Sequence, residues 1–240
     1  MAKYKIADIV FEAVLTSSFT KDLCKSYEYY GDAPALFTAV ITKEDIENER
    51  ERSNSGDEFS NSYLECLALL RKLCDYAIKN ADCLLFHSSA VMVDGNAYLF
   101  TAPSGTGKST HARIWRKLLG DRVVMINDDK PLIRYVDGEF YVYGTPWNGK
   151  HRLDNNVKAK LKAVCLISQA KENSIRKVTP KEMLVTMLNQ TVRPKDIADM
   201  DKLLTLIDKM LTTVDLYKLG CNISLEAGKL SYQTMSGEEL

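Results

Sequence analysis

The residues best suited to chemistry lie at 102–110, where the chain reads Ala-Pro-Ser-Gly-Thr-Gly-Lys-Ser-Thr. This pattern, A/G-x-x-x-x-G-K-S/T, is typical of a Walker A phosphate loop. In such a loop successive backbone N–H groups curl round a phosphate. The lysine reaches the β and γ phosphates, and the hydroxyl that follows it suits Mg²⁺. The sequence predicts phosphate contacts from Pro103, Ser104, Gly105, Thr106, Gly107, Lys108, Ser109 and Thr110.

The segments on either side of this loop fit the same interpretation. An apolar strand is expected at 97–101 and an amphipathic helix at 110–119. The N-terminus of that helix directs its partial positive charge at a bound anion. Ala102 replaces the first glycine of the pattern, so this position cannot require a strongly positive φ.

An acid pair follows the next predicted strand. Residues 122–127, Arg-Val-Val-Met-Ile-Asn, read as a strand, and Asp128 and Asp129 follow it directly. Two carboxylates at a strand end fit two tasks in phosphoryl transfer, because one can hold Mg²⁺ and the other can accept a proton from an attacking hydroxyl. Adjacent carboxylates raise each other's pKa unless a cation lies between them. A metal ion is therefore expected here.

The phosphate loop is expected to follow a β-hairpin. Residues 83–93 and 97–101 read as strands, joined by a tight turn at Asp94-Gly95-Asn96. Common P-loop NTPases reach their loop on a strand of a parallel sheet, so a hairpin favours a different fold. His87 lies near the start of the hairpin, either beside the phosphate loop or at the substrate mouth, depending on the strand register. A purely structural role for this histidine stays open.

A second loop, at 144–152, has the composition of a functional segment. It reads Gly-Thr-Pro-Trp-Asn-Gly-Lys-His-Arg. Trp147 is expected to be exposed, and Lys150 and Arg152 are candidates for contacts with a phosphate or a carboxylate of the substrate. An ordinary surface loop with basic residues is the alternative.

The rest of the chain supplies scaffold. Helical periodicity and a capping box of Ser62 and Glu65 predict a helix over 62–80. A turn or linker at 53–61 separates a small N-terminal α/β subdomain, 1–60, from a nucleotide-binding catalytic domain, 61–240. The other expected elements are strands at 3–16, 35–42, 161–169 and 213–219, a hairpin of 131–136 with 139–143, and helices at 43–52, 196–212, 224–235 and from Thr179.

Composition narrows the classes of function. The chain has 240 residues with 32 basic and 32 acidic side chains, so no charge excess favours nucleic acid or a membrane surface. Six scattered cysteines are expected to be buried, reduced thiols, and the three histidines show no zinc spacing. No apolar run reaches the length of a membrane span and no signal peptide is visible, so a cytoplasmic protein is expected. The oligomeric state stays open, with a homo-oligomer compatible with the sequence.

The order of these features resembles the catalytic domain of HPr kinase/phosphorylase, in the phosphoenolpyruvate carboxykinase-like superfamily. A hairpin with a histidine, the phosphate loop and the sequence V-x-x-x-N-D-D follow one another over about 83–150. The final stretch, from 214 to 227, resembles the ending of small HPr-kinase-like proteins of peptide-modification gene clusters. The matching residues are His87, Gly105, Gly107, Lys108, Ser109, Asp128 and Asp129.

The resemblance implies an α/β (α+β) fold of mixed β-sheets with flanking helices. It implies transfer of a phosphoryl group from ATP, or from pyrophosphate, to a serine-type hydroxyl of a free serine, a peptide or a protein, with Mg²⁺ as the metal. Asp129 would be the general base, Asp128 and Ser109 metal ligands, and His87 a residue that orients the acid pair. No segment resembles the HPr-binding signature, which makes HPr doubtful as the acceptor.

Three other interpretations compete with a kinase of this type. A non-catalytic nucleotide sensor would need the phosphate loop but not the acid pair. An ordinary P-loop NTPase would have parallel strands around the loop. Carboxykinase activity is remote, because the chain is short and the substrate-binding arginines of those enzymes have no counterpart that can be placed.

Overall fold

Alternating strands and helices build a mixed α/β structure, seen in a computed structural model that describes residues 1–53 and 59–240. The strands are β1 Ala2–Ile6, β2 Ile9–Val14, β3 Thr38–Val40, β4 Cys83–Leu85, β5 Ser89–Val93, β6 Asn96–Thr101, β7 Val123–Asn127, β8 Leu132–Val136, β9 Glu139–Tyr143, β10 Lys158–Gln169, β11 Ser174–Lys177 and β12 Asp215–Cys221. The helices are α1 Ser18–Cys24, α2 Lys43–Arg52, α3 Asn61–Asn80, α4 Lys108–Leu119, α5 Pro180–Asn189, α6 Ile197–Thr213 and α7 Leu225–Ser236.

The larger sheet is mixed and branches at its longest strand. Its strand order is β4-β8-β9-β10-β6-β5-β7, and β12 with β11 joins it through β10. The first residues of β10 pair with β9, and its later residues lie between β6 and β12, both parallel to it. The expected fold class is confirmed: a mixed sheet with flanking helices, and a phosphate loop entered from a β-hairpin.

Strand directions bring several chain segments to one edge of this sheet. β5 is antiparallel to both β6 and β7, so β6 and β7 run the same way. β10 and β12 are parallel to β6. The carboxyl ends of all four strands therefore meet at one edge, together with the beginning of β5. Such an edge is where open α/β sheets bind their ligands.

Two helical layers cover the sheet because successive strand residues face opposite sides. On β6, Leu99 belongs to the core beneath α5 and α6, whereas its neighbours Tyr98 and Phe100 belong to the core beneath α4 and α7. β10 follows the same alternation, with Val164 in the first core and Cys165 in the second. The strand that leads into the phosphate loop is therefore packed on both of its faces.

The N-terminal strands form a separate three-stranded sheet, β1-β2-β3. The expected single strand at 3–16 is wrong, because Ala7 and Asp8 take φ values of 52° and 58° and turn the chain into a hairpin. The expected strand at 35–42 is reduced to β3. This sheet shares one core with α3, a core that also includes Leu132 and Trp147 of the larger unit.

Most of the expected helices and strands are present, with shifts at their ends. Helix α3 begins one residue early, and Ser60 caps it by accepting from the N–H of Tyr63. The expected capping box of Ser62 and Glu65 is therefore wrong. Glu65 is buried and instead accepts from the backbone N–H groups of Thr16 and Ser17.

Four further features concern the cysteines, the expected linker, strand β11 and membrane-spanning helices. All six cysteines are free and buried, as predicted. Of the turn or linker expected at 53–61, residues 54–58 lie outside the described residues. Strand β11 is not among the strands expected from the sequence, because its four residues are mostly polar and exposed. No helix among the described residues is long and apolar enough to cross a membrane.

Candidate active site

A cleft of about 420 Å³ opens at the edge of the sheet where β6 and β7 end. It brings together the phosphate loop, the acid pair, the histidine of the hairpin and part of the 144–152 loop. The lining residues are His87, Ser104, Gly105, Gly107, Lys108, Ser109, Thr110, Arg113, Asp128, Asp129, Gly149, Lys150 and His151.

The phosphate loop has the backbone that its glycines allow. Gly105 and Gly107 have φ values of 77° and 120°, which residues with a side chain rarely adopt, whereas Ala102 has no positive φ. The Lys108 ammonium donates to the carbonyl oxygen of Ala102 at 2.9 Å. Burial lowers the pKa of Lys108, and the negative charges of Asp129 and Asp128 oppose this shift. The lysine is thus held inside its loop and faces the acid pair.

A buried asparagine shapes the turn that carries the two acids. The side-chain oxygen of Asn127 accepts from the N–H of Asp129 at 2.8 Å and from that of Lys130 at 2.6 Å. Its amide nitrogen donates to the carbonyl oxygen of Thr145 at 2.8 Å. Asn127 therefore joins the acid turn to the start of the 144–152 loop.

Asp129 is held as a carboxylate by two neighbours. His87 Nδ1 lies 3.0 Å from Asp129 Oδ1, and the Lys130 ammonium pairs with Oδ2. Burial raises the pKa of Asp129, but the His87 hydrogen bond and the Lys130 charge outweigh it and lower the pKa to about 2. The cation that the adjacent acids were expected to require is thus supplied in part by Lys130, which the sequence analysis did not single out.

Asp128 has a different environment. It is 6% exposed, and its Oδ1 accepts a hydrogen bond from the Ser89 hydroxyl at 2.6 Å. Its own N–H donates to the carbonyl oxygen of Leu153 at 3.0 Å. The described residues contain no ready-made cluster of three or more His, Cys, Asp or Glu ligands. Asp128 and Ser109 both line the cleft, and their side-chain oxygens are of the type that Mg²⁺ uses together with water and phosphate.

The 144–152 loop contributes to the cleft through its second half. Gly149 has a φ of 69°, and a Cβ built there would lie 3.2 Å from the Cβ of Asp129. Lys150 and His151 line the cleft. Arg152 is exposed and does not belong to the lining. Trp147 is not exposed as expected: it is 4% exposed, and its indole N–H donates to the Cys66 carbonyl oxygen on α3.

A tyrosine from the N-terminal segment contacts the residues that directly follow this loop. The Tyr27 hydroxyl, fully buried, donates to Asp154 Oδ2 at 2.8 Å. Asn148 donates its amide to the other oxygen of the same carboxylate. Asn156 also donates to the carbonyl oxygen of Ser26 at 3.2 Å. The N-terminal residues thus bind the segment 154–156, which Asn148 connects to the 144–152 loop.

Sequence reasoning brought the main residues of the cleft together but missed several neighbours. Arg113 could have been found, because it lies one helical turn after Ser109 and so shares its face. Ser89 lies two residues after His87, which places both on one side of an extended chain. Tyr27 and Asp154 are 127 residues apart and leave no local signal.

Comparisons with known proteins give little beyond this geometry. No family model matches the chain, and no curated protein sequence matches it. Among solved structures, the chain is similar to the Hpr(Ser) kinase/phosphatase from Coxiella burnetii, with a TM-score of 0.33 and 10% sequence identity. That match covers 64% of this chain and 93% of the other. We therefore infer a function from the residues and distances of the cleft itself.

Proposed function

We propose that the protein is a Mg²⁺-dependent kinase that transfers the γ-phosphoryl group of ATP to a serine-type hydroxyl. One observation carries this proposal: Lys108 of the phosphate loop and the ionised Asp129 line the same cleft. A site that only binds nucleotide has little use for a carboxylate fixed by two partners opposite the phosphates. A kinase that acts on a hydroxyl can use such a carboxylate to orient the acceptor and to take its proton.

The phosphate side of the cleft would hold the donor. The loop N–H groups and the N-terminus of α4 provide fixed positive charge for the β and γ phosphates. Lys108, already directed inward, adds a full charge that neutralises the phosphoryl oxygens as the bond to the leaving oxygen lengthens. Thr110 and Ser109 lie on the first turn of the same helix.

Asp129 would receive the proton of the acceptor hydroxyl. As the acceptor oxygen forms its bond to phosphorus, its proton moves to a carboxylate oxygen of Asp129. His87 and Lys130 occupy two of the roughly four lone-pair positions of a carboxylate, which leaves room for the acceptor. A pKa near 2 makes Asp129 a weak base, and this suits a loose phosphoryl-transfer transition state, in which positioning matters more than basicity.

Asp128 and Ser109 would hold Mg²⁺. The two residues line one cleft, and Ser89 fixes the orientation of the Asp128 carboxylate. When bound, Mg²⁺ would supply positive charge that neutralises the donor phosphates. Asp128 would thus bind the metal ion, and Asp129 would accept the proton of the acceptor hydroxyl.

The acceptor would enter from the side of the 144–152 loop. Lys150 lines this side and is available to bind an anionic group of a serine, a peptide or a protein. Arg152, outside the cleft, would contact only a larger acceptor, and Trp147 would anchor the loop on α3. Residues 1–60 would form the supporting subdomain, and 61–240 the catalytic domain.

The test compares two variants in binding and in turnover. Asp129→Asn keeps the shape of the side chain but removes the base, so transfer from ATP to serine or serine peptides should fall by about 10²- to 10⁴-fold. Its affinity for Mg²⁺-ATP should stay near that of the wild type. Lys108→Ala should weaken both binding and transfer.

Two results would change the proposal. Wild-type turnover in Asp129→Asn would show that this residue is not the base. Nucleotide binding that depends on Lys108, without transfer to any hydroxyl, would favour a non-catalytic nucleotide sensor instead.

A further inference from the structure

A second cavity of about 420 Å³ lies on the other side of the phosphate loop. It shares three residues with the catalytic cleft: Gly105, Gly107 and Thr110. Its remaining walls come from α4 and from the carboxyl ends of β10 and β12. The lining residues are Gly105, Thr106, Gly107, Thr110, His111, Ile114, Ile167, Gln169, Ala170, Cys221, Asn222 and Ile223.

This cavity differs from the catalytic cleft in the charge of its lining side chains. The lining side chains that the structure describes include no Asp, Glu, Lys or Arg. His111 is buried, and its Nε2 lies 2.8 Å from the Ser231 hydroxyl oxygen. Ile114 and Ile167 supply apolar wall. The cavity therefore offers no charge to bind phosphate and suits an uncharged ring.

Its mouth carries two features that fit a planar heterocycle. Ile223 is 83% exposed, and it lies on the segment that follows β12. Gln169 is exposed, and its side-chain amide reaches the carbonyl oxygen of Thr106 at 3.4 Å. Apolar faces with a few placed polar groups are the usual composition of a small-molecule pocket.

Geometry connects the two cavities. The phosphate loop follows β6, the acid pair follows β7 on one side, and β10 and β12 end on the other. A ligand whose phosphates lie on the loop, with its transferable end toward Asp129, has its other end directed toward the second cavity. In an open α/β sheet this strand-end edge is the expected ligand crevice.

We propose that the second cavity binds the base and sugar of the phosphoryl donor, with Ile223 covering one face of the ring. The donor is then a nucleoside triphosphate and not bare pyrophosphate. This inference rests on the proposed phosphoryl-transfer function of the adjoining cleft and specifies its donor.

The experiment measures binding of Mg²⁺-ATP and of Mg²⁺-pyrophosphate by calorimetry. Ile223→Ser removes the apolar cover, and because the side chain is already exposed the fold should persist. The variant should bind ATP about five-fold or more weakly, in keeping with the loss of a few buried methylene groups, and bind pyrophosphate as the wild type does. Ile197→Ser is the matched control, because Ile197 is 88% exposed and lies at the start of α6.

The outcomes separate this inference from the proposed function. Equal affinities for ATP in wild type and Ile223→Ser, with pyrophosphate bound in a Lys108-dependent way, would overturn the nucleoside site and leave the phosphate site standing. A loss of both ligands in Ile223→Ser would also overturn it, because the effect would not be specific to the base. Absence of binding by either ligand to the wild type would refute the proposed function and the inference together.

Discussion

Substitution of Tyr27 by phenylalanine tests how the N-terminal segment reaches the catalytic cleft. The change removes one hydroxyl, which donates to Asp154 Oδ2 at 2.8 Å in a buried position. Asp154 then keeps the Asn148 amide as its donor. The carbonyl oxygen of the preceding Leu153 accepts from the N–H of Asp128. A shift of residues 153 and 154 would therefore reach the acid pair through this hydrogen bond.

The expected magnitude follows from the charge of the acceptor. A hydrogen bond to a charged group contributes about 1.5–3 kcal/mol to the free energy of unfolding. For a chain of this size, about 3 °C is lost per kcal/mol, so the Tm of Tyr27→Phe should fall by about 6 °C. At temperatures where the variant is folded, kcat should fall by about ten-fold or more, because catalysis is sensitive to small displacements. The affinity for Mg²⁺-ATP should not change.

Tyr143→Phe provides the matched control. The Tyr143 hydroxyl also joins the core to the N-terminal sheet, donating to Asp8 Oδ2 at 3.0 Å. Asp8 keeps Lys158 as a partner at 2.9 Å and has no contact with the acid pair among the interactions described. Tyr143→Phe should lower the Tm without lowering kcat. An equal kcat for Tyr27→Phe and the wild type, with the Tm lowered, would refute the positioning role.

Two further predictions concern Asp129 and the loop beside it. Gly149→Ala places a Cβ 3.2 Å from that of Asp129 at a φ of 69°. Its kcat should therefore fall more than that of Gly95→Ala, where φ is 80° but nothing lies within 4 Å of the added Cβ. Equal kcat values in the two variants would contradict the steric explanation. Because the folded pKa of Asp129 is lowered to about 2, its stabilisation is complete above the unfolded pKa of about 4 and is lost as the pH falls toward 2. The difference in free energy of unfolding between wild type and Asp129→Asn, measured with urea, should be about 2 kcal/mol smaller at pH 2 than at pH 6. A difference that does not depend on pH would contradict the ionised state of Asp129.

The sequence predicted the parts of the site that depend on local pattern. The phosphate loop, its hairpin and the strand ending in Asp128 and Asp129 are each encoded within a few residues, by glycine spacing, a turn signal and apolar alternation. His87 could be placed near the loop because a hairpin returns the chain to its starting edge. The sheet order then brought these local features into one cleft.

What sequence reasoning missed depends on contacts between distant segments. Trp147 looked exposed because glycine and proline surround it, yet a carbonyl group of α3 accepts its N–H. Glu65 looked like a helix cap, but it satisfies two backbone N–H groups in the chain before α1. Neither partner is signalled by a nearby pattern, so only packing decides between the alternatives.

Thermal unfolding with Mg²⁺ and ATP, for wild type and Lys108→Ala, tests the central claim most directly. A ligand present at 100 times its Kd adds about 2.7 kcal/mol to the free energy of unfolding, which corresponds to a Tm increase of about 5–10 °C for this chain length. The account predicts that increase for the wild type and its loss in Lys108→Ala. An unchanged wild-type Tm at millimolar Mg²⁺-ATP would contradict it.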